Sequence, residues 1–283
     1  MNLDRAAVRA AVRHACELDV KAQKPGNVSM DSPAFGMTAA DFFASAAAIS
    51  EPITDPKLTV GERIYRAVEA TQRVVNCNTN LGIVLLLAPI ICAQELAARD
   101  GTSLEPSLFA VLTHLTQADA DWTYRAIRLA KPGGMGTSAK HDIAAPPTVT
   151  LLQAMQEAMD RDQIARLYVT GYARLFQRNI AVWRKSLARW SSQEWAMTAL
   201  FVNLLGEEND SLIIRKFGKD IARRVSANAK LHAQAIDAAH DFNPVLARLS
   251  AWDAELKQAG INPGTTADLC VTSVFVAALL DHA

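Results

Sequence analysis

Charge imbalance, paired cysteines, aromatic richness and long uninterrupted apolar runs are all missing from this 283-residue chain. Its 29 basic residues are matched by 29 acidic ones, which removes any global electrostatic reason to bind nucleic acid or an anionic membrane surface. The four cysteines, Cys16, Cys77, Cys92 and Cys270, are scattered, with no C-x-x-C pair and no histidine at zinc-finger spacing. Neither a disulfide framework nor a structural zinc is indicated, and they read as small buried hydrophobes. Of six histidines, His232 and His240 share a broad helical face without an acidic partner, and His14, His114, His141 and His282 stand alone. The longest apolar run, 81–93, is interrupted by Pro89 and is too short to span a bilayer, and the charged N-terminus lacks the greasy stretch of a signal peptide. A cytoplasmic protein with no membrane or nucleic-acid partner is expected.

What is present is a helical pattern. Alanine is abundant, the 13 glycines and 11 prolines are few, and apolar residues recur three and four apart with no sustained period-two alternation. The pattern predicts helices over 3–22, ended by the breaker run Lys24-Pro25-Gly26-Asn27, over 39–49 with Thr38 as N-cap, over 60–75 and over 81–98. The last is apolar nearly all round and belongs at the centre, kinked where Pro89 deprives the Leu85 carbonyl of its usual partner. Further helices are expected over 106–115, 118–130, 149–176 with a break near Asp160, 181–189, 193–205, 219–237, 244–259 and 265–281. Between them, 131–148 is too polar, glycine-rich and proline-marked to be regular. The expected fold is all-α, a single compact domain over 1–283 of about a dozen helices, with polar helix-end loops forming a central pocket.

Polar residues collect in clusters at the ends of these helices. Lys24-Pro25-Gly26-Asn27 is either a helix stop or a phosphate contact in which Lys24 supplies charge and Gly26 lets backbone amides approach. Asn78, Thr79 and Asn80 precede the most apolar helix, and three asparagines in the five residues from Asn76 exceed what an N-cap needs. The loop bearing Lys131, Gly133, Gly134, Gly136, Lys140, His141 and Asp142 suggests phosphate but lacks any P-loop pattern, while Asp119 and Asp121 suit a helix start. Asp162 and Arg166 have the spacing of an i,i+4 ion pair. Asp210 to Gly218 carries Arg215 and Lys216, and Thr265 with Asp268 has the spacing of a capping box.

In this order, the segments resemble the triphosphoribosyl-dephospho-CoA synthase family over nearly the whole chain. The matching segments are Lys24-Pro25-Gly26 through Val28, then Asp41, Phe42 and Ser45, Asn78-Thr79 with Gly82, Asp210 to Gly218, and Pro263-Gly264-Thr265-Thr266-Ala267-Asp268-Leu269. Where that family has His-Lys, this chain has Asn80-Leu81, which removes a cation, and it is more similar to a divergent archaeal and methylotroph-like branch associated with one-carbon coenzymes. The resemblance implies transfer of the 5-triphosphoribosyl group of ATP to the ribose hydroxyl of 3-dephospho-CoA with release of adenine. Such a step needs carboxylates near the developing positive charge, a base for the attacking hydroxyl, and cations on the triphosphate.

On that resemblance Asp210, Asp162 and Asp268 are the expected catalytic acids. Lys24, Gly26, Asn27, Asn78, Thr79, Asn80, Gly133, Gly134, Arg166, Arg215, Lys216, Gly264 and Thr265 would hold substrate and phosphate, and Asp210, Asp268 and Asp142 would hold Mg2+. Small-molecule substrates are the expected partners, and a homodimer is compatible with the sequence. Two rivals remain: an enzyme of methanofuran-type or tetrahydromethanopterin-type coenzyme assembly, and a non-catalytic helical protein that binds a nucleotide or coenzyme. The transferase reading requires Lys24, Asn78, Asp210 and Asp268 to meet at one pocket, and it expects Asp210→Asn or Lys24→Ala to lower turnover more than about tenfold with the fold kept.

Overall fold

The computed structural model describes residues 3–134 and 142–281, so Gly136, Lys140, His141 and His282 lie outside the described residues. Among the described residues there are fourteen α-helices and no strand, as the all-α pattern requires. They are α1 (Arg5–Lys21), α2 (Ala39–Ser50), α3 (Val60–Val74), α4 (Leu81–Asp100), α5 (Leu104–Thr113), α6 (Gln117–Ala130) and α7 (Leu151–Ala158), followed by α8 (Gln163–Val169), α9 (Ile180–Trp190), α10 (Gln193–Glu207), α11 (Ser211–Phe217), α12 (Lys219–Ala238), α13 (Asn243–Gln258) and α14 (Gly264–Asp281). Threonine starts many of them. Thr38, Thr59, Thr116 and Thr150 each form a capping box with the acid or amide three residues on, which satisfies first-turn amides from both sides.

Two helices form the axis. α4 and α14 are apolar on all faces and pack against each other, with α1, α3, α5, α9 and α10 around them. Both are long and apolar enough to cross a membrane, but about two thirds or more of each is sunk inside the fold (67% and 72%), so here they are core helices. α4 runs beyond the expected end of its apolar stretch and continues through Pro89 as one element. The carbonyl that proline leaves without its usual donor is met from outside, the Tyr168 hydroxyl donating to the Leu85 carbonyl at 2.5 Å, and the Tyr172 hydroxyl donates to the neighbouring Leu86 carbonyl at 3.1 Å. Buried carbonyls need a partner, and these two tyrosines supply it.

Other differences from the sequence pattern have local causes. The expected 149–176 helix breaks near Asp160 as anticipated and again after Val169, where Gly171 and Tyr172 turn left-handed before a π-helical segment, Leu175–Asn179, leads into α9. The short α11 has no counterpart in the helical pattern, because seven residues started by Asp210 and stopped by Gly218, about two turns, are too few to display a period. His240 falls beyond the end of α12, so it shares no helical face with His232, whose ring stacks on Trp252 instead. All four cysteines are free thiols, Cys16 and Cys270 buried, Cys77 and Cys92 only half-buried.

Candidate active site

The starts of α4, α8, α11 and α14 gather at one end of the core around a cleft of about 680 Å³, within the usual range for small-molecule sites. Its wall also takes in Asp19 near the end of α1, Asn27, the segment carrying Phe35, Met37 and Phe42, parts of α6 and α7, Gly133, Gly134 and Asp142. The first-turn amides are partly taken by the side chains of Asp162, Asp210 and Asn78, so attraction for an anion rests on the cationic side chains of Arg161, Arg215 and Lys216.

Asp268 is the carboxylate that faces this space. It lines the cleft from the second turn of α14, and among the described residues its side chain has neither a hydrogen-bond donor nor an ion-pair partner. Burial lifts its carboxyl well above the ordinary carboxylate value, and the nearby charges of Asp19, Asp210 and Asp162 lift it further while Arg215 opposes them. Gly82, in the first turn of α4, makes room for it: a Cβ on Gly82 would lie 2.0 Å from Asp268 Oδ2. The capping-box reading of Thr265 and Asp268 is thereby corrected. α14 already begins at Gly264, so Thr265 sits in its first turn and its hydroxyl accepts from Ser211 at 3.1 Å.

Asp210 performs that capping instead. Its Oδ1 accepts from the amides of Leu212 (2.8 Å) and Ile213 (3.1 Å), and its Oδ2 from the amide (2.7 Å) and hydroxyl (2.8 Å) of Thr266. One carboxylate therefore starts both α11 and α14. Burial pushes its carboxyl up and the four donated hydrogen bonds pull the other way. Asp210 is fully buried and does not line the cleft, so its expected catalytic and metal-binding roles give way to a structural one. Beside it the Gln163 side chain accepts from the Ser211 amide at 2.9 Å, locking α8 to α11.

Lys24 is corrected in the same way. Its ammonium is fully buried, paired with Asp19 at 3.3 Å and donating to the carbonyls of Asp19 and Val28, so it stands behind the cleft wall and cannot reach a phosphate there. Asp19, its ion-pair partner, lines the cleft in front of it, its carboxyl raised by burial against the pull of Lys24. A signal for Asp19 existed: it continues the apolar stripe Val8, Val12, Ala15 and Cys16 of α1, where a carboxylate needs a reason. Gly26 is also structural, a left-handed turn (φ 82°) whose amide donates to Asp253 at 2.7 Å.

The Asp162–Arg166 pair does not form. Asp162 caps α8 through Oδ1 and faces Arg215 at 3.5 Å through Oδ2, which makes it a positioner of Arg215 rather than a free acid. Arg166 turns to Glu208, away from the cleft lining. Asn78, Thr79, Asn80, Gly133, Gly134, Arg215, Lys216, Gly264, Thr265 and Asn27 do line the cleft, as does Asp142. Thr79 donates to Ser45 at 2.6 Å, Asn78 accepts from the Leu81 amide at 3.2 Å and Arg215 reaches the Gly133 carbonyl at 3.4 Å. Lys24 and Asp210 thus meet Asn78 and Asp268 only as the support behind the same wall.

Besides Asp19 Oδ1, which is ion-paired with Lys24, three cleft residues carry buried polar atoms with no hydrogen-bond partner among the described residues: Asn27 Oδ1, Asn80 Nδ2 and Thr123 Oγ1. Buried polar groups are nearly always paired, so three orphans around one space mark a place for a polar ligand. Among the described residues no three His, Cys, Asp or Glu side chains come close enough to hold a metal ion by themselves, so Asp210, Asp268 and Asp142 do not gather as one ligand set. Besides Asp268 the cleft lining includes the carboxylates of Asp19, Asp142, Glu157 and Asp162, and Mg2+ characteristically binds through one or two carboxylates together with the phosphates of its substrate.

Comparison with known proteins bears on the same arrangement. The sequence profile of the family described as ATP:dephospho-CoA triphosphoribosyl transferase matches residues 5–283. A curated relative from Streptococcus equi subsp. zooepidemicus, described as a 2-(5''-triphosphoribosyl)-3'-dephosphocoenzyme-A synthase, is 34% identical over 110 residues, 38% of this chain. That match spans 36% of the relative's own length. The crystal structure of a protein from Archaeoglobus fulgidus described as a triphosphoribosyl-dephospho-CoA synthase superposes with a TM-score of 0.61 at 25% identity, covering 83% of this chain and 96% of that one.

Proposed function

The chain belongs to the ATP:dephospho-CoA triphosphoribosyl transferase family, and from that premise we propose that it moves the 5-triphosphoribosyl group of ATP, or of a similarly phosphorylated donor, onto a hydroxyl of 3-dephospho-CoA or a close coenzyme precursor, releasing adenine. The observation that carries this reading is Asp268: a carboxylate without a partner among the described residues, with a raised pKa, in a cleft that also holds Arg161, Arg215 and Lys216. In the transfer, the glycosidic carbon–nitrogen bond breaks with its electron pair going to adenine, and the acceptor oxygen bonds to the same carbon. The hydroxyl proton passes to Asp268, and adenine takes up a proton from water as it leaves. A base whose pKa lies above the usual carboxylate range is better matched to such a proton transfer near neutral pH.

The residues around Asp268 divide the remaining work. Arg215, held by Asp162 and Gly133, and the exposed Lys216 would take the triphosphate. The orphaned atoms of Asn27, Asn80 and Thr123 would hydrogen-bond sugar or acceptor groups. Mg2+ would be held chiefly by the substrate phosphates with Asp142 of the cleft lining, leaving Asp268 as the base, and when bound it would neutralise charge on the triphosphate. Product chromatography after mixing the protein with ATP, Mg2+ and 3-dephospho-CoA tests the reading: adenine and a triphosphoribosylated product are expected. Adenine release only with furan or pterin precursors would move the chain to one-carbon coenzyme assembly. Saturable ATP binding with no adenine released from any acceptor would make it a binding protein instead.

A further inference from the structure

We infer that Phe35 is a stacking platform for the planar base of the donor, an inference that rests on the proposed use of the cleft by ATP. Residues 34–37 form a two-residue hairpin closed by reciprocal bonds, Ala34 amide to Met37 carbonyl at 3.1 Å and Met37 amide to Ala34 carbonyl at 2.9 Å. Both central residues, Phe35 (φ 57°) and Gly36 (φ 75°), are left-handed, the geometry of a type I′ turn in which asparagine and glycine are the usual occupants. A bulky aromatic side chain at positive φ is an outlier that stores strain. Core packing does not repay it, because Phe35 is 43% exposed.

What the turn achieves is placement. Phe35 lines the cleft together with Met37 and Phe42, whereas Arg161, Arg215 and Lys216 supply its cationic lining. The hairpin is fixed at its base: Ser32 donates to Asp253 at 2.7 Å and its carbonyl accepts from Lys257 at 2.8 Å, while Asp253 also holds the Gly26 amide. A strained aromatic on an anchored turn, beside apolar neighbours and in the same cleft as phosphate-seeking cations, matches a ligand with a planar ring at one end and polyanion at the other. Nucleobases stack on such rings with little regard to sequence or edge chemistry.

The test compares Kd for ATP and for inorganic tripolyphosphate, both with Mg2+, by calorimetry on the parent, Phe35→Asn and Phe35→Trp, with melting curves alongside. Phe35→Asn should melt at or above the parent, by about 2 °C, because asparagine tolerates the turn. It should nevertheless bind ATP about tenfold more weakly and tripolyphosphate as before, whereas Phe35→Trp should stay within about threefold of the parent for both. Parental ATP affinity in Phe35→Asn overturns the platform, and so does equal weakening of ATP and tripolyphosphate, which would mark a change in cleft shape. These failures leave adenine release by the parent intact; a parent that binds no ATP overturns the platform and the donor assignment together.

Discussion

Asp210 and Asp268 stand at the starts of adjoining helices, within electrostatic reach of each other, and have opposite surroundings. Asp210 accepts four hydrogen bonds and is closed off from the cleft; Asp268 accepts none among the described residues and opens into it. Asp210 reaches across from α11 to satisfy Thr266 at the start of α14, while Asp268, in the second turn of the same helix, has no capping duty and faces the cleft. A carboxylate whose lone pairs are filled by the backbone holds helices together, and one with vacant lone pairs in a cleft is available for chemistry.

The largest effect that could break this contrast is Asp268→Asn. Turnover should fall by about a thousandfold with the helical circular dichroism unchanged, as loss of a general base does. Stability should move the other way. The folded carboxyl titrates well above its ordinary value, so the folded chain keeps a proton that the unfolded chain loses between the two, and parental stability drops as pH rises across that window. Melting curves above the window should therefore find Asp268→Asn more stable than the parent, with the advantage disappearing below the ordinary carboxylate range.

Asp210→Asn should show the complementary pattern, a loss of about 3 kcal/mol in denaturant melts, since two helix starts lose a charged acceptor and a buried amide faces donors. The expectation from the motif alone, lost turnover with an intact fold, is replaced by this one. Gly82→Ala sharpens the geometry. In most helices the change stabilises by up to about 1 kcal/mol, but here the new methyl would meet the Asp268 carboxylate at 2.0 Å. Turnover should fall about a hundredfold by displacement of that carboxylate, measured as adenine release. Least affected should be Tyr168→Phe, which strips the Leu85 carbonyl of its donor beside Pro89. It should cost about 1 kcal/mol in a denaturant melt and leave turnover unchanged.

Much of the fold was legible because periodicity and caps are local properties. The apolar stretch from Leu81 marked α4 as the central helix, and the orphaned Leu85 carbonyl at Pro89 was predictable, although its partner, Tyr168, lies 83 residues away and has no local signature. The helix-end clusters did converge on one cleft. Their chemistry was less legible, since a lysine in a turn looks the same whether it points outward to phosphate or inward to a carboxylate. Lys24 points inward, to Asp19, and only the stripe of α1 hinted at that acid. The Thr265 and Asp268 spacing fits a capping box, and what prevents it is that α14 already begins at Gly264, with Asp210, 56 residues away from Thr266 in sequence, holding the Thr266 amide. Phe35 carried no pattern, because its meaning lies in a backbone angle.

The account depends most on Asp268 acting as a base from a half-buried position in the cleft, without a partner among the described residues, and the pH dependence of adenine release tests that directly. The rate should rise with pH along an acid limb lying above the ordinary carboxylate range, because the raised pKa delays formation of the active carboxylate, and Asp268→Asn should remove that limb along with most of the rate. An Asp268→Asn variant that keeps both the parental rate and the parental limb would contradict it.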